Sequence, residues 1–156
     1  MNWIEFVLCT AMAMGAGQDR SKTSPGPDAE QPNRSAEESK AIGALEALGG
    51  KLDFNGEGRV RTVELIQSRI TDEGLKLLGL WPQLESLEIQ GGQITDGGLK
   101  HIKSITRLQR LYLLDLPITD AGLAELHDIP ALEVLTLTHC RIRGPGLKHL
   151  QGLPNL

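Results

Sequence analysis

Polar residues that recur at a fixed spacing are the first candidates for chemistry in this chain. Asp72, Asp96 and Asp120 each follow a threonine and lie 24 residues apart. Carboxylates can act as general acids or general bases, but only where they converge on one reacting group. Residues separated by whole repeats do not converge, whereas an Asp just before a helix accepts hydrogen bonds from the free backbone N–H groups there. The spacing therefore predicts helix N-caps rather than a catalytic site.

A second column contains the best candidate metal ligands, which are His101 and His149. On successive helices, with axes roughly 8–10 Å apart, these two histidines are separated by about two such spacings. Zinc needs each ligand at about 2 Å, so this column is predicted to be a solvated helix face. The sequence also contains no phosphate-binding glycine loop, nucleophile elbow or paired-histidine zinc motif. We therefore expect no enzyme activity, no metal and no cofactor.

Composition and charge narrow the class of protein further. A chain of 156 residues predicts one domain. The formal net charge is −4 and acids alternate with bases, which disfavours a nucleic-acid partner. Two cysteines, Cys9 and Cys140, are too few for a disulfide framework, and Cys140 is predicted to be a packed thiol. No apolar run reaches the ~18 residues that a membrane span needs.

The first 34 residues divide into two segments. Residues 1–17 combine an apolar stretch with small residues, which predicts a secretory signal peptide and export to the cell envelope or medium. Glu5 interrupts that stretch and no basic residue precedes it, so an unordered or misassigned start in a cytoplasmic protein is the alternative. Residues 18–34 are polar and rich in proline, which predicts a disordered linker.

Residues 35–59 predict a helix followed by a hairpin. Ser35 and Glu38 have the spacing of a capping box, and Gly49-Gly50 predicts the end of the helix. Asn55-Gly56 is a turn signal between two stretches with strand-like alternation. We interpret this unit as a cap over the first turn of a repeat array, because an uncovered terminal repeat exposes its core.

From Val60 onward the chain repeats every 24 residues, giving units 60–83, 84–107, 108–131 and 132–155 and the start of a fifth. The pattern L-x-x-L-x-L predicts a short strand with alternate residues pointing inward, and later apolar positions three residues apart predict a helical face. Stacked units therefore predict an α/β fold with a parallel sheet on one side and helices on the other. Seven columns of large apolar residues carry the repeat: Val60, Leu84, Leu108, Leu132, Leu156; Val63, Leu87, Leu111, Leu135; Leu65, Ile89, Leu113, Leu137; Ile70, Ile94, Ile118, Ile142; Leu75, Leu99, Leu123, Leu147; Leu78, Ile102, Leu126, Leu150; Trp81, Ile105, Ile129, Leu153.

The motif I-T-D-x-G-L, at residues 70–75, 94–99 and 118–123, resembles the 24-residue form of the leucine-rich repeat. That form is common in bacterial, planctomycete-type proteins and is similar to the repeats of F-box adaptors. The resemblance covers residues 60–156 and extends to the predicted cap. It implies a solenoid that recognises a protein or peptide on its concave sheet. No F-box precedes the repeats, so the resemblance does not support a role in ubiquitin ligation.

The outward positions of the strands predict the binding surface. Arg110, Tyr112 and Leu114 lie on one strand, and arginine and tyrosine are frequent interface hot spots. The alternative is that some apolar residues face solvent without any function. The predicted partner-binding residues are Glu64, Glu88, Arg110, Tyr112, Leu114, Asp115, Val134, Thr136 and His139.

A second hypothesis is that the chain is a structural or self-associating fragment of a longer repeat protein. The sequence stops at Leu156, the first apolar position of a fifth repeat. An open final repeat leaves one side of its core uncovered and one strand edge unpaired. We therefore expect association through the C-terminal repeat, with fraying of residues 139–156 as the competing outcome.

Overall fold

A computed structural model describes residues 35–156, which form one five-stranded sheet and a set of short helices. The predicted signal peptide and linker, residues 1–34, lie outside the described residues. The strands follow each other in chain order: β1 (Lys51–Phe54), β2 (Val60–Ile66), β3 (Ser86–Gln90), β4 (Arg110–Leu114) and β5 (Val134–Thr138). β1 pairs antiparallel with β2, and all later pairs are parallel. The predicted parallel sheet is therefore confirmed.

The strand register reproduces the repeat of the sequence. Along the sheet Glu64 lies opposite Glu88, Glu88 opposite Tyr112, and Tyr112 opposite Thr136. Each step is 24 residues, so every apolar column becomes a row of side chains across the sheet. Inward and outward residues alternate along each strand, as on β4, where Leu111 and Leu113 are buried between half-buried neighbours.

The predicted repeat helices are mostly 3₁₀ segments. After helix α1 (Ala36–Ala47), the structure has 3₁₀ segments at Gly74–Leu80, Ile102–Ser104, Gly122–Leu126 and Pro145–Leu150, and one α-helical turn, α2 (Asp96–Leu99). The apolar residues recur every three positions, which matches the 3.0 residues per turn of a 3₁₀ helix better than the 3.6 of an α-helix. None of the helices within residues 35–156 is long and apolar enough to cross a membrane.

The helix and hairpin predicted before the repeats are both present. Ser35 and Glu38 form the reciprocal capping box of α1, and the helix ends where Gly49 takes a φ of 92°. The N–H of Gly50 then donates to the carbonyl of Leu45 at 2.9 Å. The hairpin turn is closed by the Asn55 side chain, which accepts hydrogen bonds from the backbone N–H groups of Glu57 and Arg59.

The core follows the predicted columns closely in the first three repeats. All seven columns are buried there, from Val60 to Ile129, and Leu116 joins them. Of the column residues in the fourth repeat, only Leu132 and Leu153 are buried. Leu135, Leu137, Ile142 and Leu150 are half-buried, and Leu147 is 48% exposed. The same residue types therefore lose their cover at the β5 end of the sheet.

The repeated aspartates do not cap their own helices, so that prediction was wrong. The carboxylate of Asp72 accepts hydrogen bonds from the backbone N–H and the hydroxyl of Thr95, in the next repeat, at 2.8 and 2.6 Å. Asp96 binds Thr119 in the same way and at the same distances. Thr95 itself is the N-cap of α2. Each aspartate therefore fastens its repeat to the following one, and we call this series the aspartate ladder (Asp72, Asp96 and Asp120).

The last step of the aspartate ladder differs from the first two. Asp120 accepts hydrogen bonds from the backbone N–H groups of Arg143, Gly144 and Gly146 at 3.0, 3.1 and 2.9 Å. Those bonds, with that of Gly146 the strongest, lower the pKa of Asp120. Gly144 has a φ of 111°, which favours glycine over the Asp of the other repeats, and Pro145 is the first residue of the 3₁₀ segment.

The recurring glycines give the aspartates their space. A Cβ on Gly98 would lie 2.4 Å from Asp72 Oδ1, and a Cβ on Gly122 would lie 2.4 Å from Asp96 Oδ1. A Cβ on Gly146 would meet the backbone of Asp120 at 2.6 Å. The absence of a side chain at these glycines therefore permits tight packing between successive repeats.

Candidate binding surface

The outward side chains of β2 to β5 form three rows on one side of the sheet, which we call the sheet face. The parallel register aligns equivalent positions of neighbouring strands, about 4.8 Å apart. The rows are Glu64, Glu88, Tyr112, Thr136; Thr62, Ser86, Arg110, Val134; and Ile66, Gln90, Leu114, Thr138. Seven of the nine predicted binding residues lie in these rows. Asp115 and His139 follow directly after β4 and β5.

Glu64 and Glu88 form an acidic pair in the central row. They are register partners on β2 and β3, and both are half-buried. Burial raises the pKa of Glu88, and the neighbouring Glu64 carboxylate raises it further. Neither carboxylate has a hydrogen bond or ion pair with any residue in the described part of the chain. Within residues 35–156, two carboxylates are therefore held side by side without a compensating charge.

The β4 side of the sheet face is aromatic and aliphatic. Arg110, Tyr112 and Leu114 are half-buried, and Val134 beside them is 41% exposed. The guanidinium of Arg110 and the hydroxyl of Tyr112 make no side-chain hydrogen bond within residues 35–156. Strand packing holds these side chains, and their polar atoms are not used in contacts within the described residues. Thr136 extends the central row on β5 and is also half-buried.

A polar network lies at the carboxyl ends of β3 to β5. His139 Nδ1 lies 2.8 Å from Asp115 Oδ1, and the Gln90 amide donates to Asp115 Oδ2 at 3.1 Å. The hydrogen bond from Gln90, followed by that from His139, lowers the pKa of Asp115. The structure thus brings together two predicted site residues, Asp115 and His139, and adds Gln90, which was not among the predicted residues.

The residues after the strands share a backbone conformation that the sequence did not predict. Gln67, Gly91, Asp115 and His139 have φ values of 50°, 67°, 55° and 53°. In the first three the backbone N–H still donates to the neighbouring strand, at 2.8 to 2.9 Å. The left-handed residue therefore adds one more backbone hydrogen bond between neighbouring strands before the chain leaves the sheet. Gly91 was the one residue in this column whose type indicates a positive φ, because glycine adopts that conformation readily.

Cys140 lies close to the polar network but points toward the backbone. Its Sγ is 3.5 Å from the carbonyl oxygen of Leu113, and burial raises the pKa of the thiol. A raised pKa keeps the sulfur protonated at neutral pH, which agrees with the predicted packed thiol. At the equivalent loop positions, Ser68 and Leu116 are buried, and the Ser68 hydroxyl has no hydrogen-bond partner in the described structure.

The helical side of the molecule has fewer candidate binding groups than the sheet face. The column predicted to be solvated is half-buried, and His101 Nε2 is enclosed without a hydrogen-bond partner among residues 35–156. In the same residues no group of three or more His, Cys, Asp or Glu side chains could hold a metal ion. The half-buried column comprises Leu77, His101, Glu125 and His149.

Comparison with known proteins identifies the repeat. Residues 82–103 match the family described as Leucine Rich repeat, over nearly one 24-residue unit. No curated protein sequence matches the chain. The leucine-rich-repeat ectodomain of the receptor kinase SOBIR1 from Arabidopsis thaliana is similar in structure, with a TM-score of 0.48 and 17% identity over 78% of each chain. A Pollen Receptor Kinase 3 structure has a TM-score of 0.38 and 12% identity, over 58% of this chain and 56% of that one. Together with the 24-residue register of the sheet, the family match gives a leucine-rich-repeat-like α/β fold.

Proposed function

We propose that this chain is a non-catalytic module that binds a protein or peptide on its sheet face. One observation carries the proposal. Glu64, Glu88, Arg110 and Tyr112 are held half-buried on adjacent strands, and their polar ends are not used within the described chain. A rigid surface with an aromatic residue and an arginine has the composition of an interface hot spot.

The proposed module is a short solenoid of the I-T-D-x-G-L form with α1 and β1 as its N-terminal cap. Ala41, Ile42 and Leu45 of α1 are buried in the same core as the repeats. The carbonyl of Leu48 also accepts a hydrogen bond at 2.9 Å from the N–H of Arg69, in the first repeat. Residues 35–59 would in this way cover the apolar columns that begin at Val60.

The proposed surface suits a small or extended partner. Four strands at about 4.8 Å give a sheet under ~20 Å wide. The side chains of three rows fall short of the ~20–30 residues on each side of a standard interface. A short segment lying across the strands matches this width, with Asp115 and His139 at its border.

We further propose that the mature chain is exported. Mass spectrometry of the secreted and cellular fractions tests this by locating the N-terminal residue.

Affinity capture with the full chain as bait tests the proposed function. We expect Arg110→Glu with Tyr112→Ala to lose the captured partner while circular dichroism is unchanged. The matched control is Lys103→Glu with His127→Ala, which makes a similar change at exposed positions on the helical side. If the sheet-face variant captures the same partners as wild type, the assignment of the surface is wrong.

Self-association through the fourth repeat is the second candidate function. The observation that favours it is the loss of cover at β5, where Leu135 and Leu137 are half-buried and Leu147 is 48% exposed. β5 is also the edge of the described sheet, and an unpaired edge is a template for another strand. The occupant we propose is a second copy, stacked edge to edge.

Light scattering on the full chain tests this second candidate. A concentration-dependent rise in mass that disappears with Leu135→Lys plus Leu137→Lys supports it. A wild-type chain that stays monomeric across micromolar concentrations contradicts it. Hydrogen exchange then identifies the alternative, because fraying leaves residues 139–156 unprotected.

A further inference from the structure

The sheet face is chemically divided, with carboxylates on β2 and β3 and an aromatic and aliphatic surface on β4 and β5. We propose that it binds an extended segment whose arginine or lysine side chain lies between Glu64 and Glu88, next to an apolar side chain packed on Tyr112 and Val134. This inference rests on the proposed function and names the chemistry of its partner.

The acidic pair supplies the first argument. Like charges directly opposite each other on neighbouring strands are destabilising, and these two carboxylates are register partners. Lys51 lies opposite Glu64 on β1, yet its ammonium makes no ion pair in the described structure. Arg110, in the next row, makes none either. A cation from a partner would relieve a repulsion that residues 35–156 leave uncompensated.

Ser86 supplies a second, independent argument. It lies on the sheet face two residues before Glu88, and it is only 7% exposed although its row faces outward. Its hydroxyl has no hydrogen bond with any other residue among 35–156. The Ser86 hydroxyl itself is not enclosed, so it can accept a hydrogen bond from a ligand on the sheet face. A guanidinium presents five N–H donors in a plane, which suits two carboxylates and a neighbouring hydroxyl better than an ammonium does.

The aliphatic half of the sheet face sets the second feature of the partner. Val134, the register partner of Arg110, is 41% exposed and lies diagonal to Tyr112, and no core among residues 35–156 lies on that side of the sheet to receive it. An apolar side chain of the partner would bury this surface, and Arg110 would repel a second cation there. The segment would therefore bind in one direction, with its cation toward β2 and its apolar side chain toward β5.

Peptide selection on the full chain tests this inference. Random twelve-residue peptides displayed on phage are selected on the immobilised protein and then measured individually against three double variants. These are Glu64→Gln with Glu88→Gln, the sheet-face variant Arg110→Glu with Tyr112→Ala, and the control Glu37→Gln with Glu46→Gln on exposed positions of α1. We expect the enriched peptides to share a basic residue near an apolar one. They should bind the Glu64/Glu88 variant at least tenfold more weakly and the control with unchanged affinity.

The other outcomes separate the two proposals. Enriched peptides without a basic residue that lose binding only to the Arg110/Tyr112 variant overturn the cation site but keep the sheet face as the binding surface. Peptides whose affinity changes with neither sheet-face variant overturn both proposals. A selection that enriches no peptide overturns the cation site, and the capture experiment then decides the proposed function separately.

Discussion

The first three repeats and the fourth have the same apolar columns but different burial. Leu123 is fully buried, whereas Leu147, one repeat later in the same column, is 48% exposed. Leu113 and Leu137 differ in the same direction. In a stacked array each unit completes its core against its neighbours, so the residue type alone does not determine burial. The comparison shows that burial of the apolar columns depends on contacts with the neighbouring repeat.

The links between repeats differ along the array as well. Asp72 and Asp96 each bind a threonine side chain and backbone, while Asp120 binds three backbone N–H groups. The fourth repeat has Gly144 where the others have the aspartate, so the aspartate ladder stops there. The fourth repeat is therefore held from one side only within the described structure.

The largest expected effect is the difference between Leu123→Ala and Leu147→Ala. Truncating a fully buried leucine removes transfer free energy and leaves a cavity, which costs about 2–5 kcal/mol. Leu147 is half in solvent already, so its truncation should cost less than about 1 kcal/mol. Denaturant unfolding of both variants measures the two values. Equal losses would mean that the fourth repeat is as well covered in solution as the third.

Gly122→Ala should destabilise the chain by about 1–3 kcal/mol, because its Cβ would meet Asp96 Oδ1 at 2.4 Å. The control is Gly43→Ala in α1, where a Cβ meets nothing within 4 Å. That substitution should stabilise the helix by about 0.5–1 kcal/mol. The two thermal midpoints should therefore shift in opposite directions. An unchanged midpoint for Gly122→Ala would contradict tight packing around the aspartate ladder.

Asp120→Asn should loosen the fourth repeat selectively. Since the folded chain lowers the pKa of Asp120, the stability from this group is present above the pKa of the unfolded chain and is lost as pH falls through the folded pKa. Hydrogen exchange should therefore lose protection at residues 143–150 in the variant, and in wild type at acid pH. Exchange spread evenly over all four repeats would argue against a local role.

Glu88→Gln should have the smallest effect on the free energy of unfolding, and it should stabilise the chain instead of destabilising it. The folded chain raises the pKa of Glu88, so the protonated form favours folding and the charged form opposes it. We expect the variant to be slightly more stable than wild type at neutral pH. The difference should close as pH falls through the folded pKa. A destabilised variant at neutral pH would indicate a favourable partner for Glu88 in the free chain.

The sequence predicted the features that depend on apolar spacing and local turn chemistry. The columns located the core and the strand register, and Ser35 with Glu38 located the start of α1. The prediction for the aspartates was wrong because the Thr-Asp motif precedes a helix in the sequence, whereas the groups that donate hydrogen bonds to each carboxylate lie 23 residues further on. The 3₁₀ geometry was missed because a three-residue apolar period is compatible with both helix types over so short a segment.

The sheet face was predicted only in part for a related reason. Alternation along each strand placed Arg110, Tyr112 and Leu114 on one side, and the register then aligned them with Glu88 and Val134. The contact of Asp115 with Gln90 and His139 depends on the left-handed backbone after each strand, which side-chain spacing does not reveal. Side-chain spacing likewise does not reveal that the Ser86 hydroxyl has no hydrogen-bond partner among residues 35–156.

The central claim, that the sheet face binds a partner, is tested most directly by calorimetry on the captured protein or peptide. Its Kd is measured against wild type, the Arg110→Glu/Tyr112→Ala variant and the Lys103→Glu/His127→Ala control. We predict that the sheet-face variant weakens binding at least tenfold, equivalent to about 1.4 kcal/mol, and that the control leaves Kd unchanged. An unchanged Kd for the sheet-face variant, or a loss confined to the control, would contradict the claim.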